Sequence, residues 1–257
     1  SNRLTKMERI PMLSNENHNP RLEKTGNTCI VTCLNSKLYK EYGHKTLASF
    51  PKTIQKYIWS EDTIDGLDTL ELTDLSFYNR NKDKPFNSYK HDAVRFHWKV
   101  NAIYNTLQHT TWFGYDALVW IDADTLFLQD IDESWIKANI STTGIMSYLG
   151  RPNYYSECSL LYFNLRHPDT EQYITDVWNL YVTDCVYELK EYHDSYLWDE
   201  VRKGYEFSPK WAHFTDIAAG IPKVPGGHIS AHLFGEYFDH MKGKRKLVGK
   251  SKENKHH

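Results

Sequence analysis

Five consecutive apolar residues, Ala117-Leu118-Val119-Trp120-Ile121, run without a turn into Asp122-Ala123-Asp124. A short apolar run bounded by polar residues suits a strand buried on both faces, and such strands belong to parallel sheets covered by helices. Two carboxylates therefore stand at the carboxyl end of a central strand. In open α/β sheets ligands bind at that edge, because the loops there vary while the sheet stays rigid. In extended backbone, residues two apart point the same way, so Asp122 and Asp124 can face one hard cation whose other ligands are phosphate oxygens and water. Manganese or magnesium fits that donor set. Taken alone, an Asp-x-Asp is more often a solvated turn after a strand; the buried run before it and the motifs that follow downstream favour the metal reading.

The chain around this strand alternates strand and helix. Cys29 to Leu34 is apolar and β-branched, ends in Asn35-Ser36, and reads as a buried parallel strand with a ligand-facing end. A helical stretch near Tyr39 to Phe50 and a strand from Ile54 to Trp59, closed by Glu61-Asp62, complete a strand-helix-strand unit. From Tyr89 to His109, Ala93, Phe96, Val100, Ile103 and Leu107 recur at three- and four-residue steps, predicting an amphipathic helix with Arg95 and Lys99 on its polar face. Farther on come a strand over Cys158 to Asn164, a helix near Thr170 to Thr183, an Asp-rich segment from His193 to Glu200 and a Gly/Pro/His-rich stretch from Ile221 to His232. The expected organisation is an arm over residues 1–26, one α/β domain over 27–246 and a basic tail over 247–257.

Composition narrows the function classes. With 257 residues, 40% of them hydrophobic, the chain can bury one large core without disulfides. A net charge of -2 gives no global attraction to nucleic acid or anionic membrane. Cys29, Cys33, Cys158 and Cys185 lack the paired short spacings of a zinc site, so buried reduced thiols are expected. No apolar run approaches the roughly 20 residues of a membrane span, and no basic stretch leads into an apolar signal core. These features set the expectation of a soluble, cytoplasmic protein.

Read together, Val119 to Asp124, Leu161-Tyr162-Phe163-Asn164 and His193-Asp194-Ser195-Tyr196-Leu197 resemble the GT-A glycosyltransferases, and within them the glycogenin and bacterial galactosyltransferase type, family eight. A fourth segment, His240-Met241-Lys242-Gly243-Lys244-Arg245-Lys246, is similar to that family's His-x-x-Gly-x-x-Lys. The resemblance implies a GT-A, Rossmann-like single domain with a mixed, mostly parallel central sheet flanked by helices. It also implies that Asp124 and His240 hold manganese or magnesium directly and that Asp122 binds the ion or the ribose, while Gly243 and Lys246 meet the diphosphate of a nucleotide-sugar, a UDP-linked one. Imidazole suits manganese, glycine lets backbone approach phosphate, and lysine neutralises a leaving diphosphate. The chain departs from the family where Leu247 follows Lys246 and where His193-Asp194-Ser195 replaces an Asp-Gln-Asp, which leaves the stereochemistry of transfer open. A solvated basic tail is the other reading of Lys242 to Lys255.

Other candidates follow from position. Arg95 and Lys99, four apart on one helix face, can reach a pyrophosphate or a sugar hydroxyl, or form surface ion pairs. By analogy of fold, Thr32, Asn35 and Asp62 hold base and ribose. Asp194 and Glu157 are the candidate catalytic carboxylates, for contact with the transferred sugar or for proton abstraction, with helix capping or a structural ion pair as the alternative. Acceptors compatible with the sequence are a glycan, a lipid-linked sugar, a protein or modified DNA; oligomeric state is not legible. Two other classes use similar residues. Haloacid-dehalogenase-type phosphatases also place Asp-x-Asp after an apolar strand, but with Thr or Val where this chain has Leu126. An inactive carbohydrate-binding or virion-associated module of the same fold would not need Asp122, Asp124, His240 and Lys246 together.

Overall fold

The computed structural model describes residues 27–140, 143–206, 213–222, 227–231, 233–241, 243 and 245–248. The expected arm (1–26), most of the basic tail and part of the Gly/Pro/His-rich stretch lie outside the described residues. In chain order, β1 (Thr28–Leu34) leads into α1 (Ser36–Leu38), a π-helical turn (Tyr39–Gly43) and α2 (His44–Ser49). Then come β2 (Gln55–Ser60), β3 (Leu70–Glu71), α3 (Ser76–Asn81) and the long α4 (Ala93–Phe113). β4 (Ala117–Ile121), β5 (Thr125–Phe127), α5 (Glu133–Asn139), β6 (Met146–Arg151) and β7 (Tyr154–Asn164) form the middle. The end is α6 (Thr170–Val182), α7 (Asp194–Glu206), β8 (Phe214–Asp216), α8 (His228–Ala231), β9 (Phe238–His240) and α9 (Arg245–Val248).

Seven strands make one sheet in the order β3-β2-β1-β4-β7-β6-β8, and β5 pairs with β9 in a separate ribbon. β3, β2, β1 and β4 run parallel; β7 is antiparallel to both β4 and β6, and β8 is parallel to β6. The sheet is thus mixed and mostly parallel, as the sequence implies. The apolar run at its centre is buried at every position. Period-two alternation divides that run between the two faces. Leu118 and Trp120 pack with side chains of α4, α6 and α7, whereas Ala117, Val119 and Ile121 pack with Ile136, Phe234 and Phe238. Two cores of this size on opposite faces hold the carboxyl end of β4 rigidly.

The sequence misjudged several elements. β7 begins four residues earlier than the Cys158 expected, because Tyr154 to Glu157 pair with β6 across a tight turn. The three-residue strands β5, β8 and β9 carry too little periodicity to be read from sequence. On α4 the predicted apolar positions Ala93, Val100, Ile103 and Leu107 are buried, and Phe96 is half-buried. Lys99, assigned to the polar face, is only 8% exposed. The four cysteines are free, and burial pushes the thiols of Cys29, Cys33 and Cys158 up.

Leu118 is wholly buried beneath α4 and α7, so Leu118→Ala should cost about 2–5 kcal/mol of folding free energy. Urea denaturation followed by tryptophan fluorescence measures that loss, and an unchanged midpoint would contradict this account of the core.

Candidate active site

The site is assembled by one short pairing. After β4, the backbone turns at Asp122, whose carbonyl accepts from Thr125 N at 2.9 Å, and the chain enters β5. There Thr125 stands opposite His240 of β9, and the Met241 N–H donates to the Asp124 carbonyl at 2.8 Å. A residue more than a hundred positions downstream is thereby laid against the Asp-x-Asp. His240 is anchored from the other side, its N–H donating to Ser230 Oγ at 2.7 Å.

The consequence is a compact donor set. His240 Nε2 lies 3.1 Å from Asp124 Oδ1 and 3.7 Å from Asp122 Oδ2. One donor atom from each of the three residues falls within 4.8 Å of the others, the only such cluster among the described residues. Two carboxylate oxygens and an imidazole nitrogen suit manganese or magnesium, borderline-hard ions that accept mixed oxygen and nitrogen ligands. Behind the imidazole, Glu157 Oε1 is 3.7 Å from His240 Nδ1. Glu157 is 2% exposed and accepts from Ser159 Oγ at 3.1 Å and from the His228 and Ile229 backbone N–H groups. Gly227, at φ +89°, comes so close that a Cβ there would collide with the Glu157 carboxylate.

Two lysines neutralise the aspartates from opposite sides. Lys246, on α9, is 3.0 Å from Asp124 Oδ2, with its ammonium 4.5 Å from the Tyr42 ring centroid. Gly243 introduces that helix at φ +55°, a left-handed conformation that side chains disfavour. Lys99, from α4, is 2.9 Å from Asp122 Oδ1 and 2.7 Å from Asp194 Oδ2, and it also donates to the Cys158 carbonyl. Trp120 Nε1 donates to the same Asp122 oxygen at 2.6 Å. Burial would raise the carboxyls of Asp124 and Asp194, yet His240 and Lys246 beside the first and Lys99 beside the second hold both below the ordinary range. Burial likewise opposes the Lys99 ammonium, but Asp122 and Asp194 overcome it and hold its pKa raised.

These residues floor a cleft of about 1650 Å³. Of the predicted positions, Asn35, Arg95, Lys99, Asp122 and Asp124 line it, as do Glu157, Asp194, His240, Gly243 and Lys246. Arg95 is exposed there, and its guanidinium has no acidic partner within ion-pair distance among the described residues. Thr32 and Asp62 are not brought to the cleft. Thr32 is fully buried within β1, and the carboxylate of Asp62 accepts from Ser36 N and Oγ, both at 2.6 Å. In their places stand the neighbours Cys33 and Glu61. Glu61 accepts from Asn35 Nδ2 at 2.9 Å, and burial raises its carboxyl. Sequence reasoning missed Glu61, although its place one residue past β2, at the strand's carboxyl end, was the available signal. Tyr42 gave no such signal, because it reaches the cleft through a π-helical turn.

By sequence the chain matches no known family and no characterised protein. By structure it is similar to a glycosyltransferase involved in the glycosylation of the major capsid of PBCV-1, with a TM-score of 0.52 at 12% identity, over 86% of this chain and 98% of that one. It is also similar to the glycosyltransferase GlyE of Streptococcus pneumoniae TIGR4, with a TM-score of 0.44 at 11% identity, over 74% of this chain and 45% of that one. The first likeness gives the class of fold: a GT-A-like glycosyltransferase architecture. No described helix is long and apolar enough to cross a membrane.

Asp124 and Asp194 titrate lower folded than unfolded, so their contribution to stability is complete above the ordinary value of 3.8 and is lost as pH falls below it. Circular dichroism across an acid series should show stability declining from about pH 4, and Lys246→Met should shallow that decline. Lys99→Met leaves two carboxylates without their buried partner and should cost about 3–5 kcal/mol at neutral pH, read from the denaturation midpoint.

Proposed function

We propose that this protein is a metal-dependent glycosyltransferase, similar to the family-eight type, moving a sugar from a UDP-linked donor to a hydroxyl acceptor. The observation that carries this reading is the convergence of Asp122, Asp124 and His240, from two distant parts of the chain, on one point in a large cleft. Strand edges in α/β sheets commonly carry a single acidic residue; a closed two-carboxylate, one-imidazole set has a narrower chemical use. Manganese or magnesium bound there would tie the diphosphate to the protein and stabilise the negative charge that grows as the bond to the anomeric carbon breaks.

The chain's own residues divide the remaining work. Lys246, resting on Asp124, and Arg95, exposed in the cleft, supply positive charge for the diphosphate. Asn35 and Glu61 take the nucleoside, while Asp62 braces the turn through Ser36 and Thr32 packs the strand beneath. Glu157 orients His240 by facing its second ring nitrogen, as carboxylates do behind metal-ligating histidines. Asp194, kept ionised by Lys99, accepts a hydroxyl of the transferred sugar; the same ammonium lowers its pKa and makes it a weaker base. In the transfer the anomeric carbon exchanges its bond to diphosphate oxygen for one to the acceptor oxygen. The acceptor proton leaves with the diphosphate or to solvent. A haloacid-dehalogenase mechanism fits less well, because Lys99 and Trp120 hold one Asp122 oxygen and the other faces His240 in the donor cluster.

Calorimetric titration with a panel of nucleoside diphosphates, in manganese and then in chelator, tests this reading. Manganese-dependent binding of UDP is expected, with Asp124→Ala abolishing it and Glu157→Gln weakening manganese affinity about 10–100-fold. Binding that survives chelator or the Asp124 substitution would overturn the metal site.

A further inference from the structure

Lys246 enters the cleft from the short helix α9, and a lysine ammonium rides on a flexible four-carbon stem, so it loses rotamer entropy wherever it is put to use. Its ion pair with Asp124, at 3.0 Å, holds it on the side of the metal cluster. A second contact comes from Tyr42. The ammonium stands 4.5 Å from the centre of the Tyr42 ring and donates to its hydroxyl at 3.4 Å. The two residues are 204 positions apart in the chain. Tyr42 is only 6% exposed, so a ligand in the cleft finds little of its ring to touch. Its influence on a ligand must pass through the lysine it meets.

Tyr42 is itself fixed to the backbone that bears the aspartates. Residues 36–49 wind as one continuous helical segment, interrupted by the π-helical turn Tyr39–Gly43, where the His44 N–H reaches the Tyr39 carbonyl. Such turns are rare and are frequent at functional sites, and the residue they insert re-aims the side chains that follow against those that precede. Thr46 lies one helical turn beyond Tyr42, on the same face. It is 1% exposed, and its hydroxyl is shared between the Gly43 carbonyl at 3.0 Å and the Ala123 carbonyl at 2.5 Å. Ala123 is the middle residue of the Asp-x-Asp. Farther along α2, Ser49 Oγ accepts from the Phe127 N–H at 3.0 Å, in the strand that leads on from Asp124. The segment is thus fastened along the aspartate loop, and α9 packs against its π-helical turn.

From these contacts we propose that Tyr42 is the positioning residue for Lys246, keeping the ammonium beside Asp124 so that it meets a diphosphate already in place. The inference rests on the reading of Lys246 as a diphosphate cation and adds to it the residue through which that cation is held. The geometry leaves the lysine usable. An ammonium has three N–H donors; Asp124 takes one and the Tyr42 hydroxyl a second, which leaves a third for a phosphate oxygen. The ring face attracts the cation through its quadrupole and brings no negative charge to repel phosphate, as a second carboxylate would. Holding the side chain beforehand lowers the ordering cost of binding, and the gain appears as affinity for the diphosphate alone.

Calorimetric titration of the full chain in manganese with inorganic pyrophosphate and with UDP, beside saturation-transfer NMR with uridine, tests the proposal. Tyr42→Leu should weaken pyrophosphate and UDP alike, about three- to tenfold, and leave uridine, which carries no phosphate, unchanged. Tyr42→Phe keeps the ring and should bind all three within about twofold of the wild type, which separates the role from a loss of folding. Introduced into Lys246→Met, Tyr42→Leu should produce no further loss of UDP affinity, because it acts through the missing ammonium. The proposal is overturned if Tyr42→Leu leaves pyrophosphate affinity unchanged, if it weakens uridine equally, or if its effect adds in full to that of Lys246→Met. A wild-type chain that binds pyrophosphate but not UDP would sink the nucleotide-sugar reading and leave the role of Tyr42 standing; one that binds neither overturns both.

Discussion

A single buried ammonium ties the site to the fold. Lys99 rises from the middle of α4 and reaches the carboxylates of Asp122 and Asp194 and the carbonyl of Cys158, while 8% exposed. A charge removed from water is tolerated only with close partners, so the three groups are mutually obligatory. Through them α4, the end of β4, β7 and the start of α7 are fixed with respect to one another. Asp122 and Asp194 therefore cannot move independently.

Around that pivot the cleft separates two kinds of electrostatics. Toward α9 and the helical turn after β1, Lys246 and Arg95 present positive charge to the space above Asp122 and Asp124, which suits a diphosphate. Past Asp194, Lys90 pairs with Glu191 and Arg202 with Asp199, while Arg151 bonds to backbone carbonyls and Tyr89 and Tyr154 are exposed.

Legibility in the sequence followed the strength of local signals. Asp122 and Asp124 could be found because five buried apolar residues precede them. The periodicity of α4 gives its direction but not the depth of each side chain: it puts Lys99 on the polar face, free to meet a ligand or an ion-pair partner, and the structure makes it a buried ion-paired strut. Thr32 and Asp62 are each one residue away from the cleft-lining Cys33 and Glu61: along β1 the side chains alternate between faces and sequence does not reveal which step faces the ligand, while past the end of β2 the carboxylate of Asp62 is drawn to Ser36. His240 was legible only through resemblance to a motif; nothing local to Phe238–His240 announces a strand.

The sequence by itself determined the alternation of strand and helix, the central buried strand and the carboxylate pair at its end, because these depend on apolar runs and periods that neighbouring residues express. Tertiary structure alone decided what meets those carboxylates. The pairing of β5 with β9 brings His240 to Asp124, and the packing of α4 against β4 and α7 brings Lys99 between Asp122 and Asp194. Both contacts join residues far apart in the chain. Their positions are set by the packing of whole elements around a shared core, which no local pattern encodes.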